Sequence, residues 1–119
     1  MVTLAPDGQS AKARWRTIIQ SGTSGKGSGG DWGEGLYENE YVRQNGVWKI
    51  RTLHFYTKFF APYEGGWLNT DRKAVEAYAT GRGVTPDQPS SVQYEPYPGT
   101  FVPPFHYPNP VSGQTGARQ

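Results

Sequence analysis

His54 is the residue of this chain best suited to chemistry at neutral pH. Its imidazole is the only ring on its predicted sheet face that gains or loses a proton in that range. Alternation places it among Tyr37, Asn39, Tyr41, Thr52 and Tyr56. A general base or acid with tyrosines beside it could move a proton on a bound carbonyl ligand, the phenols donating to the developing oxyanion. Acid–base work also needs a carboxylate to orient the histidine, and none falls on that face; Glu34 or Asp31 at the strand entrance is the candidate to supply it. The competing reading is a half-buried histidine bonded to Tyr37, with the tyrosines as packing. His106 reads as a surface or docking residue. A metal centre would need both histidines and a carboxylate from distant segments, so no metal and no cofactor is expected.

The element that positions these residues is a hairpin. Two alternating runs, 35–44 and 47–55, flank Asn45-Gly46, which supplies the two positive-φ positions of a type I′ turn. With those two as the loop, Gln44 pairs with Val47, Tyr41 with Ile50, Glu40 with Arg51, Asn39 with Thr52 and Tyr37 with His54. One face then holds Tyr37, Asn39, Tyr41, Trp48, Ile50, Thr52, His54 and Tyr56, and reads as a pocket wall. The other holds Glu38 and Glu40 opposite Lys49 and Arg51, flanked by Leu36, Leu53 and Phe55. Such cross-strand ion pairs contribute only about 0.2–1 kcal/mol, but they mark the side expected to meet water. A third strand, 10–19, puts Ala11, Ala13, Trp15, Thr17 and Ile19 inward and Lys12, Arg14 and Arg16 outward.

The rest of the chain divides by composition. Residues 2–5 are a short apolar start, and Pro6-Asp7-Gly8 a turn. Residues 21–30 are Gly/Ser-rich and read as a flexible connection. That segment lacks the P-loop spacing, and its Gly25-x-Gly27-x-x-Gly30 precedes a strand instead of the helix a dinucleotide site requires. A strand runs over 47–60, a short helix is expected over 69–81, and eight of the ten prolines lie at 86–110, where they exclude regular helix. Tyr94, Tyr97, Phe101, Phe105 and Tyr107 punctuate that tail. It is therefore expected to dock in extended form over residues 82–119, on its own domain or on a partner subunit.

The 119 residues are 34% hydrophobic and 18% charged, with net charge +2, no cysteine, and 4 Trp, 8 Tyr and 5 Phe. That is one domain with a small, ring-rich core. The dispersed basic residues are not the stripe that nucleic acid needs. No run approaches the roughly 18 apolar residues of a membrane span, so neither a nucleic acid nor a membrane is an expected partner, and a cytoplasmic location is.

Taken in order, the Ala-Lys-Ala-Arg-Trp15 strand, Gly35-Leu-Tyr-Glu-Asn-Glu-Tyr-Val-Arg43, the Asn-Gly turn, Trp48-Lys-Ile-Arg51 and Gly66-Trp67 resemble SnoaL-like proteins of the nuclear transport factor 2-like superfamily. The stretch Pro103-Pro-Phe-His-Tyr-Pro-Asn-Pro-Val-Ser-Gly113 resembles the tail of a bacterial branch of that family. Together these cover residues 3–67 and 94–113. The resemblance implies an α+β fold, a strongly curved antiparallel sheet wrapped around helices as a cone with a ligand pocket. In this chain it implies the sheet-forming part, residues 1–68, with the N-terminal helices missing. It further implies either a cofactor-free isomerase, cyclase or dehydratase, or a non-catalytic binding or dimerisation module. The ligand would be a small hydrophobic molecule, held by Trp15, Tyr37, Asn39, Tyr41, Thr52 and Tyr56 with His54 as the catalytic group. Apolar side chains on both sheet faces add the expectation of a homo-oligomer.

Overall fold

The computed structural model describes residues 1–22, 29–70, 86–89 and 92–114. Those residues form mostly antiparallel sheet. Strand β1 is Val2–Leu4, β2 Ser10–Gly22, β3 Gly30–Gln44, β4 Val47–Thr52 and β5 Phe55–Pro62. Their order is β1-β2-β3-β4, and β5 pairs with β3. Two single 3₁₀ turns, Tyr63–Gly65 and Trp67–Asn69, follow. The helix expected over 69–81 falls, from residue 71 onward, outside the described residues, as do residues 23–28 of the Gly/Ser-rich loop.

Two turn signals read from the sequence are realised. Pro6-Asp7-Gly8 turns β1 into β2, with Gly8 at φ 64° and the Gln9 amide donating to the Asp7 carboxylate at 2.9 Å. Asn45 and Gly46 have φ of 52° and 82°, the conformation that Asn-Gly adopts at small steric cost. From that turn the register runs as expected through Gln44↔Val47 to Tyr41↔Ile50.

Beyond Tyr41 the register shifts. The next pair is Glu40↔Thr52, leaving Arg51 as the extra residue of a β-bulge. The single strand expected over 47–60 is accordingly broken at Leu53 and His54. A one-residue slip reverses every later side chain, so the expected pairs Glu40–Arg51, Asn39–Thr52 and Tyr37–His54 do not form. Phe55 joins Tyr37 instead, ring centroids 4.6 Å apart, and the Glu38 amide donates to the His54 carbonyl at 2.8 Å.

The chain forms two compact units. One comprises Met1–Trp15, Leu36–Tyr56 and Val102–Gln119; the other Arg16–Gly35 and Thr57–Phe101. In the second, Trp32 packs against Phe59, Tyr63 and Trp67 at 5.3, 6.3 and 5.8 Å. A Cβ on Gly33 would meet the Phe60 ring at 2.5 Å and the Phe59 carbonyl at 2.8 Å, so only glycine allows β5 this close to β3. Proline-rich chain follows β5 there. The Tyr94 hydroxyl donates to the Thr57 carbonyl at 2.9 Å, the Tyr97 amide to the Lys58 carbonyl at 2.8 Å, and the Lys58 ammonium to the Gly99 carbonyl at 3.0 Å.

Candidate functional site

The first unit presents two faces of β2 and β3. Alternation along β2 sends Lys12 and Arg14 to one and Ala11, Ala13 and Trp15 to the other. Glu40 and Glu38 of β3 meet the first pair: Lys12 to Glu40 at 3.7 Å, Arg14 to Glu38 at 3.2 Å. Farther along, in the second unit, Arg16 meets Glu34 at 3.4 Å.

Glu38 was expected to mark the side that meets water, yet its side chain has no exposure. A carboxylate survives such burial only when charge and hydrogen bonds replace water. Here Arg14 supplies the charge, and the C-terminal segment supplies two donors. The His106 backbone amide reaches Oε1 at 2.9 Å and the His106 Nδ1 reaches the same oxygen at 2.8 Å. His106 Nε2 lies 3.3 Å from Glu40 Oε1. Both ring nitrogens thus face carboxylates.

The neighbouring tail residues complete the cover. Arg14 Nη2 donates to the Pro103 carbonyl, its guanidinium stacks 4.2 Å from the Phe105 ring centroid, and Lys12 Nζ sits 4.9 Å over the Tyr107 ring. Tyr107 is buried, and that burial, with Glu38 and Glu40 adding to it against Arg14, raises its phenol pKa above 10. Residues 103–107 therefore dock within their own unit, and His106 serves as their anchor.

His54 lies on this ionic side. Its ring centroid is 6.4 Å from that of His106 and 4.3 Å from Tyr56, on which it stacks. Burial lowers its pKa below 6.5 and the His106 charge lowers it further, with Glu38 opposing. The bulge thus removes Thr52, His54 and Tyr56 from the predicted pocket wall. Thr52 is exposed opposite Glu40, and Tyr56 is buried.

Trp15, Tyr37, Asn39 and Tyr41 stay together on the other face. Trp15 and Tyr41 lie 6.1 Å apart. Asn39 is buried, its amide donating to the Tyr41 hydroxyl at 3.0 Å and its carbonyl oxygen accepting the His54 backbone amide at 3.1 Å. That second bond satisfies a donor which the interrupted ladder leaves over, so Asn39 holds the bulge as well as lining the face. Trp48 and Ile50 extend the row. Trp15, Trp48 and Ile50 remain 39%, 44% and 54% exposed, which makes this an open apolar row.

The sequence reading missed the pairing of buried Glu38 with Arg14 and His106. The signal was present in the match of Lys12-x-Arg14 with Glu38-x-Glu40, but the role of His106 depends on where a distant tail lands. The second unit has a separate open pocket of about 420 Å³ lined by Gln20, Ser21, Gly22, Gly30, Asp31 and Tyr63, of which the sequence reading singled out Asp31, as an entrance carboxylate. Among the described residues no cluster of His, Asp and Glu is arranged to hold a metal ion, and no helix is long and apolar enough to cross a membrane.

Residues 1–54 match the family model of the SnoaL-like domain. No curated protein matches the chain.

Proposed function

We propose that the SnoaL-like domain matched by residues 1–54 serves here as a binding module, not as an acid–base enzyme. Its ligand is a small, flat hydrophobic molecule lying on the row Trp15, Tyr41, Trp48 and Ile50. Exposed apolar groups occurring singly are ordinary, but several large exposed side chains sharing one sheet face point to a binding surface.

The observation that supports this reading best is the bulge at Arg51. It leaves the aromatic row without His54, and so without the group on which proton transfer would depend. What remains are ring faces for stacking, the Tyr41 hydroxyl for orientation, and no step that requires a cofactor. Each stacked ring is worth about 0.5–1.5 kcal/mol beyond the area it buries.

One observation favours an enzymatic reading. Glu38 orients the His106 imidazole through Nδ1 at 2.8 Å, the relation a carboxylate has to a general-base histidine. Against it, Nε2, the nitrogen such a base would use, already faces Glu40.

Fluorescence titration with an anilinonaphthalene sulfonate probe tests the proposal. Trp48→Thr should weaken binding about tenfold, the loss of roughly 1.4 kcal/mol, and His54→Gln should leave it unchanged. A probe that ignores Trp48→Thr, or that responds to His54→Gln alone, would overturn the reading.

A further inference from the structure

We propose that the ionic face of the first unit is a recognition groove for a proline–aromatic–histidine segment, and that the tail of a second copy of this chain can occupy it in place of the chain's own. The groove is the row Lys12, Arg14, Glu38 and Glu40. Its resident occupant is Pro103-Pro-Phe-His-Tyr107. This inference is independent of what the aromatic row binds.

The groove is built for an occupant. Glu38 is fully buried, and two of its donors, the His106 amide and Nδ1, come from the tail. Arg14 is spoken for on one side by Glu38, while its second Nη and its flat face are completed by the Pro103 carbonyl and the Phe105 ring. Lys12 finds the Tyr107 ring. Without a segment of this kind a buried carboxylate and a guanidinium would lose partners that water at a closed surface replaces poorly.

The occupant also has the features of a recognised peptide. Paired prolines hold it extended before it binds, which lowers the entropy cost of ordering it. Each of three successive side chains then has a separate receptor: Phe105 on Arg14, His106 on Glu38 and Glu40, Tyr107 on Lys12. Past Tyr107 the chain closes into a self-contained turn, where the Asn109 side-chain oxygen accepts the Val111 and Ser112 amides at 2.9 and 3.2 Å.

Nothing in these bonds requires chain continuity. The hydrogen-bonded residues of tail and groove lie 66 to 89 positions apart in sequence, so the same groups on a second copy make the same contacts. The chain's own tail competes at the effective concentration of a tethered segment, on the order of millimolar. Exchange therefore becomes visible once one copy's tail and another copy's groove are disabled.

Two full-length variants provide the test. One, Arg14→Ala, loses the groove and keeps its tail; the other, Phe105→Ala with His106→Ala, keeps the groove and loses the tail. Sedimentation velocity should show a one-to-one complex in the mixture, at least tenfold tighter than self-association of either variant. Absence of a complex with both chains folded by circular dichroism would overturn the proposal. Should either variant unfold, the wild-type chain is titrated with a peptide of residues 101–114. Saturable amide shifts at Lys12, Arg14, Glu38 and Glu40 would support the groove. No shift up to about 10 mM, well above the tether's effective concentration, or equal shifts with a scrambled peptide, would refute it.

Discussion

The two faces of the first unit are made by the same stretches of β2 and β3, and they reverse the usual assignment of charge and ring. The ionic face, with Lys12, Arg14, Glu38 and Glu40, is closed over by Pro103–Tyr107, to the point that Glu38 has no exposure. The aromatic face keeps Trp15, Trp48 and Ile50 substantially open to solvent. Alternation decides which side chains share a face, but what covers a face is decided elsewhere. Here a tail rich in rings lands on the charges, where guanidinium and ammonium groups meet aromatic faces, and the apolar row is left for something else to occupy.

If this contrast is real, the most damaging substitution in the unit is of a charged residue. Glu38→Ala leaves Arg14 with an uncompensated charge and His106 without its anchor. Removal of one member of a buried pair costs about 3–5 kcal/mol, a large part of the roughly 5–15 kcal/mol available to a domain. Urea denaturation followed by tryptophan fluorescence should show that loss, together with faster proteolysis of the tail. A cost below about 1 kcal/mol, the value of an exposed pair, would mean that Glu38 is not sealed by the tail and that the faces do not differ as described.

The face pattern of β2, the Pro6-Asp7-Gly8 turn, the Asn45-Gly46 turn and the register up to Tyr41–Ile50 were all legible in the sequence, because each depends on neighbours within a few residues. The bulge was not. Arg51 is neither glycine nor proline, and the group that compensates the break, the Asn39 side chain, reads equally well as a pocket residue. The landing place of Pro103–Tyr107 was not legible either, because it depends on hydrogen bonds to residues 66 to 89 positions away, which no local pattern encodes. Those two unread features account for the changed position of His54. The bulge turns it to the ionic side, and the tail brings His106 beside it.

His54 allows a finer test of the same contrast. Burial lowers its pKa below the ordinary 6.5, and His106 lowers it further against Glu38. The unfolded chain therefore binds this proton more readily than the folded one. The stability associated with neutral His54 is complete above pH 6.5 and is lost as pH falls through the depressed folded-state value. The unfolding free energy of the wild type minus that of His54→Gln should thus decrease toward acid as pH falls below 6.5, with a slope no steeper than about 1.4 kcal/mol per pH unit. Taking the difference removes the common titration of the carboxylates. A difference that grows toward acid would show that Glu38 outweighs burial, and that His54 sits in a wetter, more anionic place than the closed face implies.

The smallest effect should come from the open face. Ile50 is 54% exposed, and Ile50→Thr keeps the β-branched shape that suits a strand, and its methyl, while replacing the ethyl arm by a hydroxyl. At a site already in water the hydroxyl needs no protein partner, so the unfolding free energy should move by no more than about 0.5 kcal/mol, as for surface substitutions generally. The same change inside a core would cost more, because the new polar group would have to be desolvated. Denaturation curves for Ile50→Thr therefore report directly on cover. A loss above about 2 kcal/mol at low protein concentration would mean that some other part of the chain lies on the aromatic row. If that loss instead appeared only as the wild type gained stability with concentration, a second copy would be the cover.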